Sequence, residues 1–204
     1  NRVIANISKK FEYGNRFATT VSLVYDGYNP GRYSYVYSTD INNDGLTGND
    51  LLFVHASSDI KFSDLVIGGK TITAADQAAA WDAYVAQDNY LSAHKGQFVE
   101  RNGGLLPWLH RFDLRLLQDV AQNIGKNKHT LQLSADILNI GNMINPSWGI
   151  RKQMTVSNGG VLKYNTNGTY NFNAVNGVLP VESFRPIVST ATTWGMQLGL
   201  RYSF

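Results

Sequence analysis

The stretch that decides the fold is Trp194 to Phe204, W-G-M-Q-L-G-L-R-Y-S-F. Trp194, Met196, Leu198, Leu200, Tyr202 and Phe204 fall at every second position, with Gly195, Gln197, Gly199, Arg201 and Ser203 between them. Period two is the mark of a strand whose two faces differ. One face is apolar from end to end and begins and finishes on aromatic residues. The other is small or polar and carries a charge. A soluble sheet alternates in the same way, with its apolar face toward a core. An outer-membrane barrel inverts the use of the pattern: apolar side chains meet lipid, polar ones face the lumen, and aromatic girdles mark the interfaces. Here the alternation runs unbroken to a final aromatic residue, and that ending favours the barrel. About ten tilted residues cover the hydrocarbon layer.

Working outward from this segment, the same alternation recurs. Residues 2–11 place Val3, Ala5, Ile7 and Phe11 opposite Asn6, Ser8 and Lys10. Glu12-Tyr13-Gly14-Asn15 reads as a tight turn in which Gly supplies the positive φ. Residues 17–28 form the return strand, with Phe17, Thr19, Val21, Leu23 and Tyr25 on one face. Residues 111–120 and 129–140 make a second pair, joined by the polar turn Ala121 to Lys128; residues 192–204 close the series.

The connections are unequal. Two are short, while residues 29–108 and 141–190 form long excursions. In the first, Tyr33, Tyr35 and Tyr37 read as a strand continuing beyond the membrane, and Thr73 with Asp76 resembles a capping box opening an Ala-rich helix. Asn89 to His94, closed by Gly96, fits a second short helix. A connection of that length argues against a compact soluble domain, whereas barrels combine short periplasmic turns with long extracellular loops. The expected fold is all-β: a transmembrane antiparallel β-barrel segment with long extracellular loops, one holding short helices. Five strands fall short of the roughly eight that close the smallest barrels, so the expectation is a piece of a longer protein completed by further strands.

Composition agrees. The chain has 204 residues, 16% charged and 12% aromatic, with 19 Gly and no Cys. The absence of Cys excludes disulfides and thiolate metal sites. The net charge of +3 is scattered, without a basic stripe for nucleic acid. No apolar run approaches the roughly 18 residues of a transmembrane helix.

Several stretches together resemble TonB-dependent outer-membrane receptors of the Bacteroidetes type, in particular the Oar-like group, with the SusC-like importers as near relatives. They are Tyr33 to Val54, residues 90–119 (Y-L-S-A-H-K-G-Q-F-V-E-R-N-G-G-L-L-P-W-L-H-R-F-D-L-R-L-L-Q-D), residues 128–142 (K-H-T-L-Q-L-S-A-D-I-L-N-I-G-N) and the closing strand. The resemblance spans nearly the whole chain. It implies the last five strands of a barrel of about 22 strands, filled by an N-terminal plug and energised through TonB with ExbB and ExbD. It also implies a bacterial outer-membrane location, a periplasmic C-terminus read by the barrel-assembly machinery, and a possible SusD-like surface lipoprotein as partner. The substrate expected is a large nutrient: a glycan, a peptide or a chelate.

Candidate sites follow from chemistry. Asp40, Asn42 and Asp44 with Gly45 match the opening of a calcium loop, but Leu51 stands where its bidentate Glu belongs; Asp50 offers an alternative oxygen, and an Asx turn without metal fits the same residues. His94, His110 and His129, with Glu100 and Asp113, match no zinc or catalytic signature, so no enzyme is expected. Arg111, Asp113, Arg115, Asp119, Asp136 and Arg201 lie on polar strand faces, where cross-strand ion pairing toward the lumen is the expected role. Trp81, Tyr84, Trp108 and Trp148 are aromatic platforms, girdle anchors or loop packing. Three functional classes share these features: a nutrient importer, a surface barrel for adhesion or secretion, and a soluble calcium-stabilised β binding domain.

Overall fold

The computed structural model describes residues 1–124 and 127–204, with the side chains of 122–128 outside the description. The chain is mostly antiparallel β structure with few helices. Along it, β1 (Arg2–Tyr13) and β2 (Phe17–Tyr28) are followed by β3 (Arg32–Tyr33), β4 (Val36–Tyr37), β5 (Leu65–Ile67), β6 (Lys70–Ile72), α1 (Ala74–Gln87), α2 (Asn89–Ala93) and β7 (Gly104–Leu105). Then come β8 (Leu109–Ile124), β9 (Asn127–Leu138), α3 (Ile140–Ile144), β10 (Lys152–Met154), β11 (Gly160–Tyr164), β12 (Tyr170–Phe172), β13 (Phe184–Pro186) and β14 (Gly195–Ser203). Among the described residues, no helix is long and apolar enough to cross a membrane, which does not bear on crossing by strands. No closed barrel is present among them: the largest sheet has five strands in the order β1-β2-β8-β9-β14, every neighbouring pair antiparallel.

The chain divides into two compact units. The first contains residues 1–30, 107–151 and 186–204 and is built on the five-stranded sheet. Its register brings residues of like character into rows. Ile7, Leu23, Leu114, Ile137 and Met196 form one such row, strand to strand, and Val21, Leu116, Ala135 and Leu198 form another. Strand β8 begins two residues before the expected start and continues through Ile124, so part of the expected turn Ala121 to Lys128 is strand. Gly125 and Lys126 of that turn lie outside the described residues.

The second unit contains residues 31–106 and 152–185. Sequence reading treats these segments as loops, but they share one core. Tyr35, Leu52, Val54, Trp81, Leu91, Val161, Leu162 and Phe172 are all fully buried. Tyr33, Tyr35 and Tyr37 are the correction here. They do not extend a membrane strand; they are buried among these residues. The two segments are joined by a parallel pairing of β4 with β11 and by Ser38 N–H donating to Leu162 O at 2.8 Å.

Helix α1 shows why the core closes where it does. Thr73 and Asp76 form a reciprocal capping box. From that start, Gln77, Trp81, Tyr84 and Val85 fall on one face and are buried. The buried Gln77 is satisfied from both segments. Its Nε2 donates to Ser63 O at 2.7 Å, and its Oε1 accepts Phe172 N–H at 3.1 Å and Asn171 Nδ2 at 3.3 Å. A buried amide without such partners would be costly. Asp88, also buried, caps α2 through Tyr90 N–H and Leu91 N–H and accepts the Tyr35 hydroxyl at 2.6 Å.

These contacts predict that Gln77→Met, which keeps the volume and removes the polar bridge, destabilises this unit by about 1–3 kcal/mol. Trp81→Ala is expected to cost about 3–5 kcal/mol through the cavity it leaves. Denaturant unfolding followed by near-ultraviolet circular dichroism measures both. A Gln77→Met variant as stable as the wild type would show the bridge to be idle.

Candidate functional site

The five-stranded sheet is the feature with functional content, because its two faces are chemically different along most of their length. One face carries Val3, Ala5, Ile7 and Phe11 of β1, with Val21, Leu23 and Tyr25 of β2. It continues through Phe112, Leu114, Leu116 and Val120 of β8, then Leu131, Leu133, Ala135 and Ile137 of β9, and ends with Met196, Leu198, Leu200 and Tyr202 of β14. Much of it is exposed among the described residues: Ile7 is 69% exposed, Leu198 73% and Leu200 69%. Soluble monomers rarely leave so wide an apolar surface open.

Aromatic side chains bracket this face. At the hairpin end, Tyr13 stacks on Phe17 with ring centroids 5.9 Å apart, and Tyr202 stacks on His129 and on Phe204, each at 5.8 Å. At the other end, Tyr25 lies 5.0 Å from Phe112, and its hydroxyl contacts His110 Nδ1 at 3.0 Å and Trp108 Nε1 at 3.5 Å. The Tyr25 ring leans over Gly27: a Cβ there would stand 2.0 Å from the Tyr25 hydroxyl and 3.0 Å from Trp108 Nε1. Phe17 to Tyr25 spans about 27 Å along the strand. A tilt of about 40° would shorten that to roughly 20 Å, near the height of a barrel's apolar band.

The opposite face is polar and largely paired. Arg2 meets Asp26 through two hydrogen bonds of 2.8 Å, and Arg111 Nε reaches Asp113 at 3.0 Å. Arg115 Nε reaches Asp136, its direct cross-strand partner, at 2.7 Å. Asp119 accepts Gln132 Nε2 at 2.7 Å, and the Ser8 and Ser22 hydroxyls meet at 2.7 Å. Of the six charged residues singled out from sequence on this face, Arg201 makes no ion pair among the described residues; its cross-strand neighbour is Gln132. Asp113 has a second task, accepting Asn139 N–H at 2.7 Å where β9 ends.

Other sequence candidates separate. The oxygens of Asp40, Asn42 and Asp44 turn inward on their own loop. Asp44 N–H donates to Asp40 and Asn42, Gly45 N–H to Asp40 at 2.8 Å, and Leu46 N–H to Asp44 at 2.8 Å. The Leu46 N–H, with smaller contributions from the Asn49 and Asn42 side-chain amides, holds the Asp44 carboxyl below its ordinary pKa. Asp50 is buried and accepts Ile41 N–H at 2.8 Å. Among the described residues, no three His, Cys, Asp or Glu side chains group as a metal site.

The histidines do not converge. His110 and His129 each contact a tyrosine hydroxyl of the sheet, and His94 Nδ1 contacts Tyr90 O at 2.7 Å. The backbone N–H of Glu100 donates to the Tyr90 hydroxyl at 3.0 Å. Trp81 and Tyr84 are core residues and offer no platform, whereas Trp108 and Trp148 are exposed.

The aromatic surface of the second unit lies elsewhere, in residues that sequence reading passed over. Phe98, Phe53, His55, Tyr170 and Tyr164 are packed in series, with successive ring separations of 5.1, 4.7, 5.6 and 5.1 Å. Period two was the available signal, since Phe53 and His55 flank the buried Val54.

Comparison with known proteins gives no match to any family model, curated protein or solved structure.

His55 supplies a pH dependence. Its Nε2 contacts the Tyr37 hydroxyl at 3.1 Å, and burial lowers its pKa from 6.5; burial also pushes Tyr37 up to about 12. A depressed histidine binds its proton more weakly folded than unfolded. Stability therefore falls as pH drops below 6.5 and levels off below the folded pKa. Thermal melts between about pH 7.5 and 5 are expected to show this loss in the wild type and a flatter profile in His55→Gln.

Proposed function

We propose that this chain is the C-terminal part of the barrel of a TonB-dependent outer-membrane receptor, one that imports a large nutrient across the bacterial outer membrane. The observation that carries the reading is the uncovered apolar face of the sheet, bounded by aromatic residues at both ends and backed by an ion-paired polar face. Lipid would cover the apolar face, and the polar face would line a lumen occupied by the plug. The edge strands β1 and β14 each have one neighbour in the sheet, so further strands would pair with both and close the wall.

In this arrangement the work divides by element. The sheet seals the membrane and supplies a rigid wall. The second unit is formed from the two long connections, which this reading assigns to the extracellular side, and would offer contact surface to ligand or to a surface lipoprotein. Movement of the plug under force from TonB, ExbB and ExbD opens the path. The Arg115–Asp136 and Arg111–Asp113 pairs hold the inner face in a fixed pattern against which a plug can seat. The closing strand would present Tyr202 and Phe204 to the assembly machinery. The same fold without import, serving adhesion or secretion, uses this sheet identically and differs only in the plug.

Two neighbouring substitutions on β14 test the reading. Leu198→Arg puts a cation on the apolar face, where it costs about 2–4 kcal/mol near the bilayer midplane. Gln197→Arg puts the same cation on the polar face. Leu198→Arg is expected to abolish the folded, heat-modifiable form in membranes, while Gln197→Arg assembles normally. Equal assembly of the two variants would overturn the assignment of faces and the membrane reading with it.

A further inference from the structure

The apolar face of the sheet has a polar corner at the end of the β1–β2 hairpin. Lys9 lies on that face, exposed, between Ile7 and Phe11 and opposite Val21. Phe11 pairs with Thr19, which makes Thr19 a diagonal neighbour of Lys9, at about 7–8 Å. Thr19 pairs in turn with Gln118 of β8. Tyr13 completes the group: its hydroxyl lies 2.8 Å from Thr19 Oγ1 and 2.9 Å from Gln118 Oε1, and Thr19 Oγ1 lies 2.6 Å from Gln118 Oε1.

The proton count matters. Three oxygens stand at mutual hydrogen-bonding distance, but only the two hydroxyls carry a hydrogen. At any moment one of the three contacts has no proton in it. The Gln118 amide does not supply it, since Nε2 is directed to Asp119 O at 3.0 Å. The cluster is rich in lone pairs and short of a donor. Beside it, Lys9 makes no ion pair among the described residues. The nearby carboxylates belong to the other face, where Glu12 pairs with Lys10 and Asp119 accepts Gln132.

We propose that this corner binds the headgroup of a phospholipid bearing both a phosphodiester and a primary ammonium, the phosphoethanolamine type. The phosphate is held by the Lys9 ammonium, and the headgroup ammonium donates into the oxygens of Tyr13, Thr19 and Gln118. The inference rests on the membrane reading above. It explains how a lysine is tolerated on a face that otherwise meets hydrocarbon. Lys9 is about 13 Å along its strand from Tyr13, which belongs to the aromatic boundary, and its apolar stem can lie along the face while its head reaches the interface. A headgroup with both a phosphate and a primary ammonium satisfies the cation and the donor-poor cluster together, which a phosphocholine headgroup, with no N–H or O–H, does not.

The test uses the full-length protein in detergent, in its folded heat-modifiable form, titrated with single phospholipids and read by native mass spectrometry. Phosphatidylethanolamine is expected to bind about tenfold more tightly than phosphatidylcholine, whose quaternary nitrogen has no N–H to donate, a difference equivalent to one hydrogen bond to a charged group. Lys9→Met is expected to lower binding of phosphatidylethanolamine and phosphatidylglycerol alike. Gln118→Leu, or Thr19→Val if that variant assembles poorly, is expected to erase the preference over phosphatidylcholine. Equal binding of the two lipids by the wild type would overturn the proposal, as would unchanged binding in Lys9→Met, which would mean that Lys9 serves the oxygens itself. These failures leave the membrane reading standing. That reading falls separately if Leu198→Arg and Gln197→Arg assemble equally.

Discussion

An apolar sheet face that its own chain leaves open is the constraint to which the rest of the first unit answers. Ordinary antiparallel sheets alternate so that the oily side meets a core. Here the rows through Leu23, Leu114, Ile137 and Met196 are as regular as any core layer, yet Leu198 and Leu200 at one margin and Ile7 at the other stand largely exposed. Hydrophobic burial is the main favourable term in folding. On the membrane reading proposed above, a sheet that forgoes it within the described residues would recover it from a hydrocarbon layer, which asks for no shape complementarity. Aromatic residues then belong at the two margins, where one end of the ring is wet and the other is not.

The polar face solves the complementary problem. Charges crowded on a sheet repel unless signs alternate across strands. Arg2 with Asp26 and Arg115 with Asp136 join neighbouring strands, while Arg111 with Asp113 pairs along β8. Asp119 and Gln132 extend the pattern with a neutral partner. Such pairs add little to stability when solvated. Their value is register: a slip of one residue would move every one of these groups to the apolar face.

How much of this could be read from sequence depends on how local the cause is. Strands β1, β2, β8, β9 and β14 are legible because alternation is a property of each segment alone. The helix at Ala74 to Gln87 is legible from Thr73 and Asp76 for the same reason. The second unit is not, because its core is assembled from segments far apart: Val36 pairs with Gly160, and Gln77 is satisfied by Ser63, Asn171 and Phe172. Tyr35 looks like one more outward aromatic until Tyr84 and Asp88 are seen beside it. Asp40, Asn42 and Asp44 admit two readings from sequence, since the alternating oxygens of a metal loop also serve a loop that caps its own N–H groups. Composition cannot separate the two, because the same atoms do both jobs.

The two edges of the sheet complete the physical picture. Strand β1 has twelve residues and β14 nine, and each has a single neighbour in the sheet. On a free edge, every second residue turns its N–H and C=O outward, away from the existing partner. In water such an edge is an aggregation hazard that proteins blunt with bulges, prolines or inward charges; neither β1 nor β14 contains a proline, and β1 carries one such charge, Lys9, on its apolar face. In hydrocarbon the penalty is several kcal/mol for each unsatisfied group. Summed over either edge, this exceeds the 5–15 kcal/mol that typically holds a domain folded. On the membrane reading proposed above, a sheet with this apolar face would therefore need a strand on each side before it could reside in lipid. On that reading, pairing at β1 and β14 would matter to the wall as much as the hydrogen bonds between β8 and β9.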